Sequence, residues 1–179
     1  MSSVILNGDS SGAITLSAPA VAGTNTATLP ASSGVVMVSG NMPAFSAYQS
    51  SGQSVNSATF TKVQLQTEEF DTANAFDSTT NYRFTPQVAG YYQVSGSVEW
   101  SFLTGQSLIT IYKNGSRFKD GSFGTGGTDG TSSVVSALIS LNGSTDYVEL
   151  YCYQNTGTAK TTVNVLTSTF FQAVMVRGA

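Results

Sequence analysis

The chain has 179 residues, a formal net charge of −3, only 9% charged residues, one cysteine and no histidine. One domain, or one domain with an arm, fits that length, with enough chain to bury a core. The missing histidine excludes Ser-His-Asp and Cys-His catalysis and most transition-metal sites, and the lone Cys152 excludes an intrachain disulfide.

The start, Met1-Ser2-Ser3-Val4-Ile5-Leu6, has no basic region and no long apolar run. Neither a signal peptide nor a membrane span is expected from it. Residues 8–40 hold Asp9 as their only charge and are rich in Ala, Ser, Thr and Gly. Ala13–Ala18 and Asn25–Pro30 read as short alternating strands, with a third at Val35–Val38. Such a stretch cannot bury enough apolar area alone, so it is expected to order against other chains. The composition shifts at Met42-Pro43, and Pro43 lacks an amide donor. The expected organisation is an N-terminal arm over 1–42 and a head over 43–179.

From residue 43 onward, β-branched and aromatic runs alternate with Gly, Asn, Asp and Pro. Strands are expected near 44–49, 60–66, 82–85, 90–101, 107–113, 116–119, 132–141, 146–154 and 162–176. No amphipathic helical stretch interrupts them. Asn114-Gly115 and Asn142-Gly143 mark tight hairpins, because both residue types tolerate positive φ. Each is followed by Ser and so matches a glycosylation acceptor, but the hairpin role explains both. Many strands and no helices imply an all-β sandwich or barrel.

The richest segment runs from Phe76 to Val94, FDSTTNYRFTPQVAGYYQV. An aromatic-Asp pair, a Thr-rich turn, Phe84, then Gly90-x-Tyr92 and an alternating strand resemble the signature of the C1q globular head. Val94 stands where that signature commonly has an aromatic. Ile111–Gly115, Leu141–Leu150 and Phe170–Val174 resemble its later strands, so the likeness covers about residues 43–177. The resemblance implies the antiparallel jelly-roll sandwich shared with the tumour necrosis factor proteins. It also implies a homotrimer that binds ligands without doing chemistry. The arm resembles a segment of phage tail-fibre and related virion proteins. Its Gly12–Leu16, Ala18-Pro19, Gly23–Thr26 and Thr28–Pro30 stand in the order found there.

Searching for chemistry returns little. Glu68 and Glu69 are neighbours and face opposite sides of any strand, so they are no catalytic pair. Gly121–Gly130 (GSFGTGGTDG) lacks the Lys-Ser/Thr end and the following helix of a phosphate loop. Lys and Arg are scattered, so no stripe exists to track nucleic acid. Asp120 and Asp129, with Asp71 or Asp77, are hard oxygen ligands of the kind calcium takes. No motif joins them, and no cofactor is expected.

Strand parity places the loops. With consecutive antiparallel strands from 90 onward, the turns at 114–115 and 142–143 share one end with the C-terminus. The loops at 102–106, 120–131 and 155–161, and the turn before Tyr82, share the other. Binding residues concentrate on loops held by a rigid scaffold, so that tip is the expected site, with Phe123, Asp129 and Asn155 as its candidates. Phe123 reads equally as an exposed stacking platform for a sugar and as a pin for its own loop. The 10 Phe and 8 Tyr suggest more aromatics than one sandwich buries, with Tyr91, Tyr147, Tyr151 and Tyr153 expected at a three-fold axis.

Together these readings suggest a virion fibre or spike, made without a signal peptide. It is attached through residues 1–42 and presents its head to a host-surface glycan or protein, with no contact to nucleic acid and no insertion into a membrane. A capsid decoration protein and a bacterial C1q-like surface adhesin are the alternatives.

Overall fold

A computed structural model describes residues 3–28, 31, 33–34, 36–126 and 130–179. The chain divides into two compact units, Met1–Gly34 and Val35–Ala179.

In the first unit, β1 (Ser3–Asn7) and β2 (Ala13–Ser17) pair as an antiparallel hairpin. Gly12 closes its turn at φ +79°, where a side chain would be strained. Val4 sits opposite Leu16 and Leu6 opposite Ile14, so four aliphatic side chains share one exposed face. A lone two-stranded hairpin is marginal in water. The expected strand at 25–30 is absent over Asn25–Thr28, and its end lies outside the described residues. Val36–Val38 is likewise not a strand, and Val35 lies outside.

The second unit opens with a 3₁₀ turn at Ser39–Asn41. Its strands follow as β3 (Ala44–Tyr48), β4 (Ser54–Val55), β5 (Thr61–Lys62), β6 (Thr67–Asp71), β7 (Phe76–Asp77), β8 (Arg83–Phe84) and β9 (Gly90–Trp100). Then come β10 (Gln106–Lys113), β11 (Ser116–Thr125), β12 (Thr131–Leu141), β13 (Val148–Gln154), β14 (Lys160–Thr161) and β15 (Phe170–Gly178). One sheet has the order β12-β9-β15-β3-β6. The other runs β11-β10-β13-β8-β7, with β5 also on β13. All pairings are antiparallel.

The core lies between the sheets, and the Phe76–Tyr92 run supplies its centre. Phe45 of β3 stacks on Phe76 at 4.6 Å and on Phe84 at 4.5 Å between centroids. Phe171 meets Phe45 edge-on at 5.4 Å, and Tyr92 meets Phe84 edge-on at 5.7 Å. The Tyr92 hydroxyl donates to the Val88 carbonyl at 2.6 Å, satisfying its polar end inside the core. A side chain at Gly90 would come within 2.5 Å of the Arg177 carbonyl oxygen, so only glycine lets β15 close on β9 there.

The structure corrects several expectations. The strand expected at 60–66 forms only at Thr61–Lys62, while Thr67–Asp71 pairs with β3 as a sheet edge. Its polar TEEFD composition hid it, since an edge strand needs little apolar patterning. The strand expected over 162–176 begins only at Phe170. Before it, the Ser168 and Thr169 amides both donate to the Val165 carbonyl in a turn. The strand near 116–119 extends to Thr125, because Gly121 and Gly124 let β11 pass close to β12 and β10. The unit boundary falls before the Met42-Pro43 composition shift. Met37 packs on the head's core, and the Pro43 carbonyl accepts from the Met175 amide at 3.0 Å.

Candidate functional site

The loops of the head sort into two ends. At one end Asn114 Nδ2 donates to Asp146 Oδ1 at 2.7 Å, tying the two tight turns together. The Ala179 amide donates to the Ala89 carbonyl there, at 3.2 Å. At the other end the Gly126 amide donates to the Gly105 carbonyl at 2.8 Å, and the Val163 amide to the Glu99 carbonyl at 2.8 Å. Trp100 bridges to Thr162 there, and Trp100 and Leu103 are buried beneath the loops. The expected parity therefore holds. The Asp77–Tyr82 turn heads the same way as the tip loops but stops alongside the sheet, where Lys62 Nζ donates to the Asn81 carbonyl at 3.1 Å.

The tip is a surface braced by backbone bonds from below. Phe102 is 45% exposed, with Lys160 Nζ lying 5.5 Å from its ring centroid. Val165 and Leu166 are exposed at the same end. These four went unnoticed in the sequence because each lies in a segment read as a loop or a strand of ordinary composition. An apolar residue in a loop carries no periodicity to reveal its exposure.

The structure separates the sequence-derived candidates. Phe123 stands on β11 opposite Leu108, not in a loop, and is 67% exposed. Asn155 holds the tip together: its Oδ1 accepts from the Gln106 amide at 2.7 Å, and its own amide donates to the Gln106 carbonyl at 3.1 Å. Asp129 lies outside the described residues.

Of the acids read as calcium ligands, the described ones, Asp71, Asp77 and Asp120, hold contacts of their own. Asp120 takes a two-pronged contact from Arg117, Nε to Oδ1 at 2.7 Å and Nη2 to Oδ2 at 2.6 Å. That contact holds the Asp120 carboxyl below the usual carboxylate range. Asp71 accepts from the amides of Ala73, Ala75 and Phe76. Asp77 Oδ1 accepts from the amides of Thr79 and Thr80, and Oδ2 from Asn81. The Thr80 and Thr79 bonds hold its carboxyl far below the usual range. Among the described residues, no three Asp, Glu or Cys side chains gather where a metal ion would sit. Cys152 is buried on β13, and burial pushes its thiol up to about 12.

Two sheet faces look outward. On the six-stranded sheet Tyr112 stacks on Tyr151 at 3.8 Å, Phe60 packs on Tyr153 at 4.9 Å, and Arg83 lies 4.3 Å from the Tyr147 ring centroid. Tyr147, Tyr151 and Tyr153, expected at an axis, each pack on a side chain of their own chain. On the five-stranded sheet Phe70, Tyr91, Val134, Leu138, Val174 and Val176 are exposed. Ser95 and Gln172 lie among them, joined by a bond from Gln172 Nε2 to Ser95 Oγ at 3.1 Å. A shallow hollow of about 300 Å³ opens on this face beside Phe70 and Val174.

No protein-family model and no curated protein matches the sequence. Solved structures do. Murine APRIL superposes with a TM-score of 0.60 at 11% identity, over 75% of this chain and 99% of that one. The globular domain of zebrafish complement 1qA gives 0.57 at 13% identity, over 76% and 99%. The PRD1 vertex protein P5 gives 0.53 at 16% identity, over 76% and 96%.

The head is a C1q/tumour necrosis factor-type jelly roll. The signature read between Phe76 and Tyr92 is the aromatic centre of that fold, built around Phe45. At these identities the likeness establishes architecture, and function must be argued from surfaces.

Proposed function

We propose that this chain is a virion structural protein, a homotrimeric fibre or spike. Its first unit attaches it to the particle, and its loop end meets a host-surface ligand. The observation that carries this reading is the outward face of the five-stranded sheet. Soluble monomers rarely leave so many large apolar side chains side by side on one face. Each stabilises by about 1.5–3 kcal/mol when fully buried, so closing three such faces together supplies a strong drive to assemble. The aliphatic face of the β1–β2 hairpin supports attachment, because it too needs a cover. The likeness to a phage vertex protein supports a place on a virion.

Native mass spectrometry of the full chain tests the assembly. We expect a trimer at micromolar concentration. Leu138→Glu combined with Val174→Glu should give a folded monomer with the same far-ultraviolet dichroism. A stable folded monomer of the unaltered chain would end this reading.

The vertex likeness also favours a second reading, a decoration protein that meets no receptor. Adsorption of particles lacking the chain separates the two. Normal adsorption means decoration, and lost adsorption means a spike.

A further inference from the structure

The six-stranded sheet ends at the β7–β8 hairpin, the edge opposite β11 and Phe123. A cleft of about 280 Å³ opens there, lined by Asn74, Asp77, Asn81, Arg83, Thr85 and Gln87. Its size lies at the small end of ligand pockets, suited to a single ring.

Arg83 is the unusual member. A guanidinium carries five donors, and among the described residues those of Arg83 have no hydrogen-bond acceptor and no acid within ion-pair distance. Asp77 and Glu149 stand directly opposite it in the strand register, one on each side. Yet Asp77 uses both oxygens on the Thr79, Thr80 and Asn81 groups of its own turn. Lys62, the other cation beside this turn, pairs with Glu149 at 2.5 Å. Arg83 instead lies over the Tyr147 ring, 4.3 Å from its centroid, a contact that uses none of its donors. The lining amides of Asn74 and Gln87 offer both donors and acceptors to hydroxyls.

We propose that this cleft binds a monosaccharide bearing a carboxylate, with Arg83 gripping the carboxylate and Asn74 and Gln87 meeting ring hydroxyls. A planar fork matches a carboxylate with two parallel bonds. The nearby Asp77 charge disfavours a doubly charged phosphate over a singly charged carboxylate. This site is separate from the loop end, and its fate is independent of the receptor reading.

The test is titration of the full chain with D-glucuronate, D-glucose and inorganic phosphate, followed by NMR at the Arg83 side chain and its neighbours. We expect saturable shifts with glucuronate in the millimolar range and none with glucose. Arg83→Lys keeps the charge but loses the fork and should weaken glucuronate by about tenfold or more. Asn74 is exposed, so Asn74→Asp should leave the melting temperature unchanged while weakening glucuronate similarly through added repulsion. No saturation by about 0.1 M glucuronate overturns the proposal. So does an equal response to glucose, tighter binding of phosphate, or undiminished binding by Asn74→Asp.

Discussion

Single side chains in this head divide into those that hold it and those that face outward. Phe123, two-thirds exposed on β11, belongs to the second kind. Phe123→Ala should therefore shift stability by no more than about 0.5 kcal/mol in urea denaturation, while reducing adsorption if the loop end meets the host. A loss of several degrees in melting temperature would mean that the ring pins its surroundings. Asp77 belongs to the first kind. Its carboxyl is held below its ordinary value by amide donors of the turn, so its contribution is present above the unfolded value, near pH 4. That contribution falls away as the pH drops toward the folded value. Asp77→Asn should lower the urea midpoint at pH 7, and the gap from the unaltered chain should shrink at pH 3. A gap independent of pH would assign its role to packing. Cys152, with its thiol pushed up to about 12 by burial, should resist iodoacetamide at pH 8 until the chain is unfolded.

At the scale of elements, the edge strand β11 is held by glycine. A side chain at Gly121 would collide with the Val134 carbonyl oxygen and come within 2.6 Å of Ile109 Cγ2. Gly121→Ala should destabilise by about 1–3 kcal/mol through overpacking, measured as a lower urea midpoint. A neutral result would show that β11 moves away from β12 freely. The sequence marked this stretch as a loop because Gly121, Gly124 and Gly126 interrupt any alternation. Its strand character comes from pairing with β10, whose own pattern was plain. The same logic explains β6, where Glu68 and Glu69 hid a strand that β3 templates.

For the whole molecule, the two units give a prediction about truncation. Residues from 35 onward contain every strand of both large sheets. A chain beginning at Val36 should fold as the intact head does and fail to enter particles. A chain beginning at Ala44 loses Met37 from the core and the Pro43 carbonyl that receives the Met175 amide. It should melt several degrees lower, consistent with a loss of about 1–3 kcal/mol. Equal melting temperatures would place the head's true start at the Met42-Pro43 composition shift.

The sequence by itself determined the all-β architecture, the jelly-roll type and the two ends of the head. The architecture and the two ends rest on local chemistry, turn residues with fixed φ and alternating strands. The jelly-roll type rests on the resemblance of Phe76, Phe84, Gly90 and Tyr92 to the C1q head signature. Tertiary structure alone decided which surfaces remain free. Tyr147, Tyr151 and Tyr153 look as exposed in the sequence as Val134, Leu138 and Val174 do. Phe60, Tyr112 and Arg83, distant in sequence, pack against those tyrosines, while nothing among the described residues covers the valines and the leucine. Asn155 likewise reads as a free amide until Gln106, far away in the chain, is brought to it. Exposure depends on partners remote in sequence, and no local pattern records them.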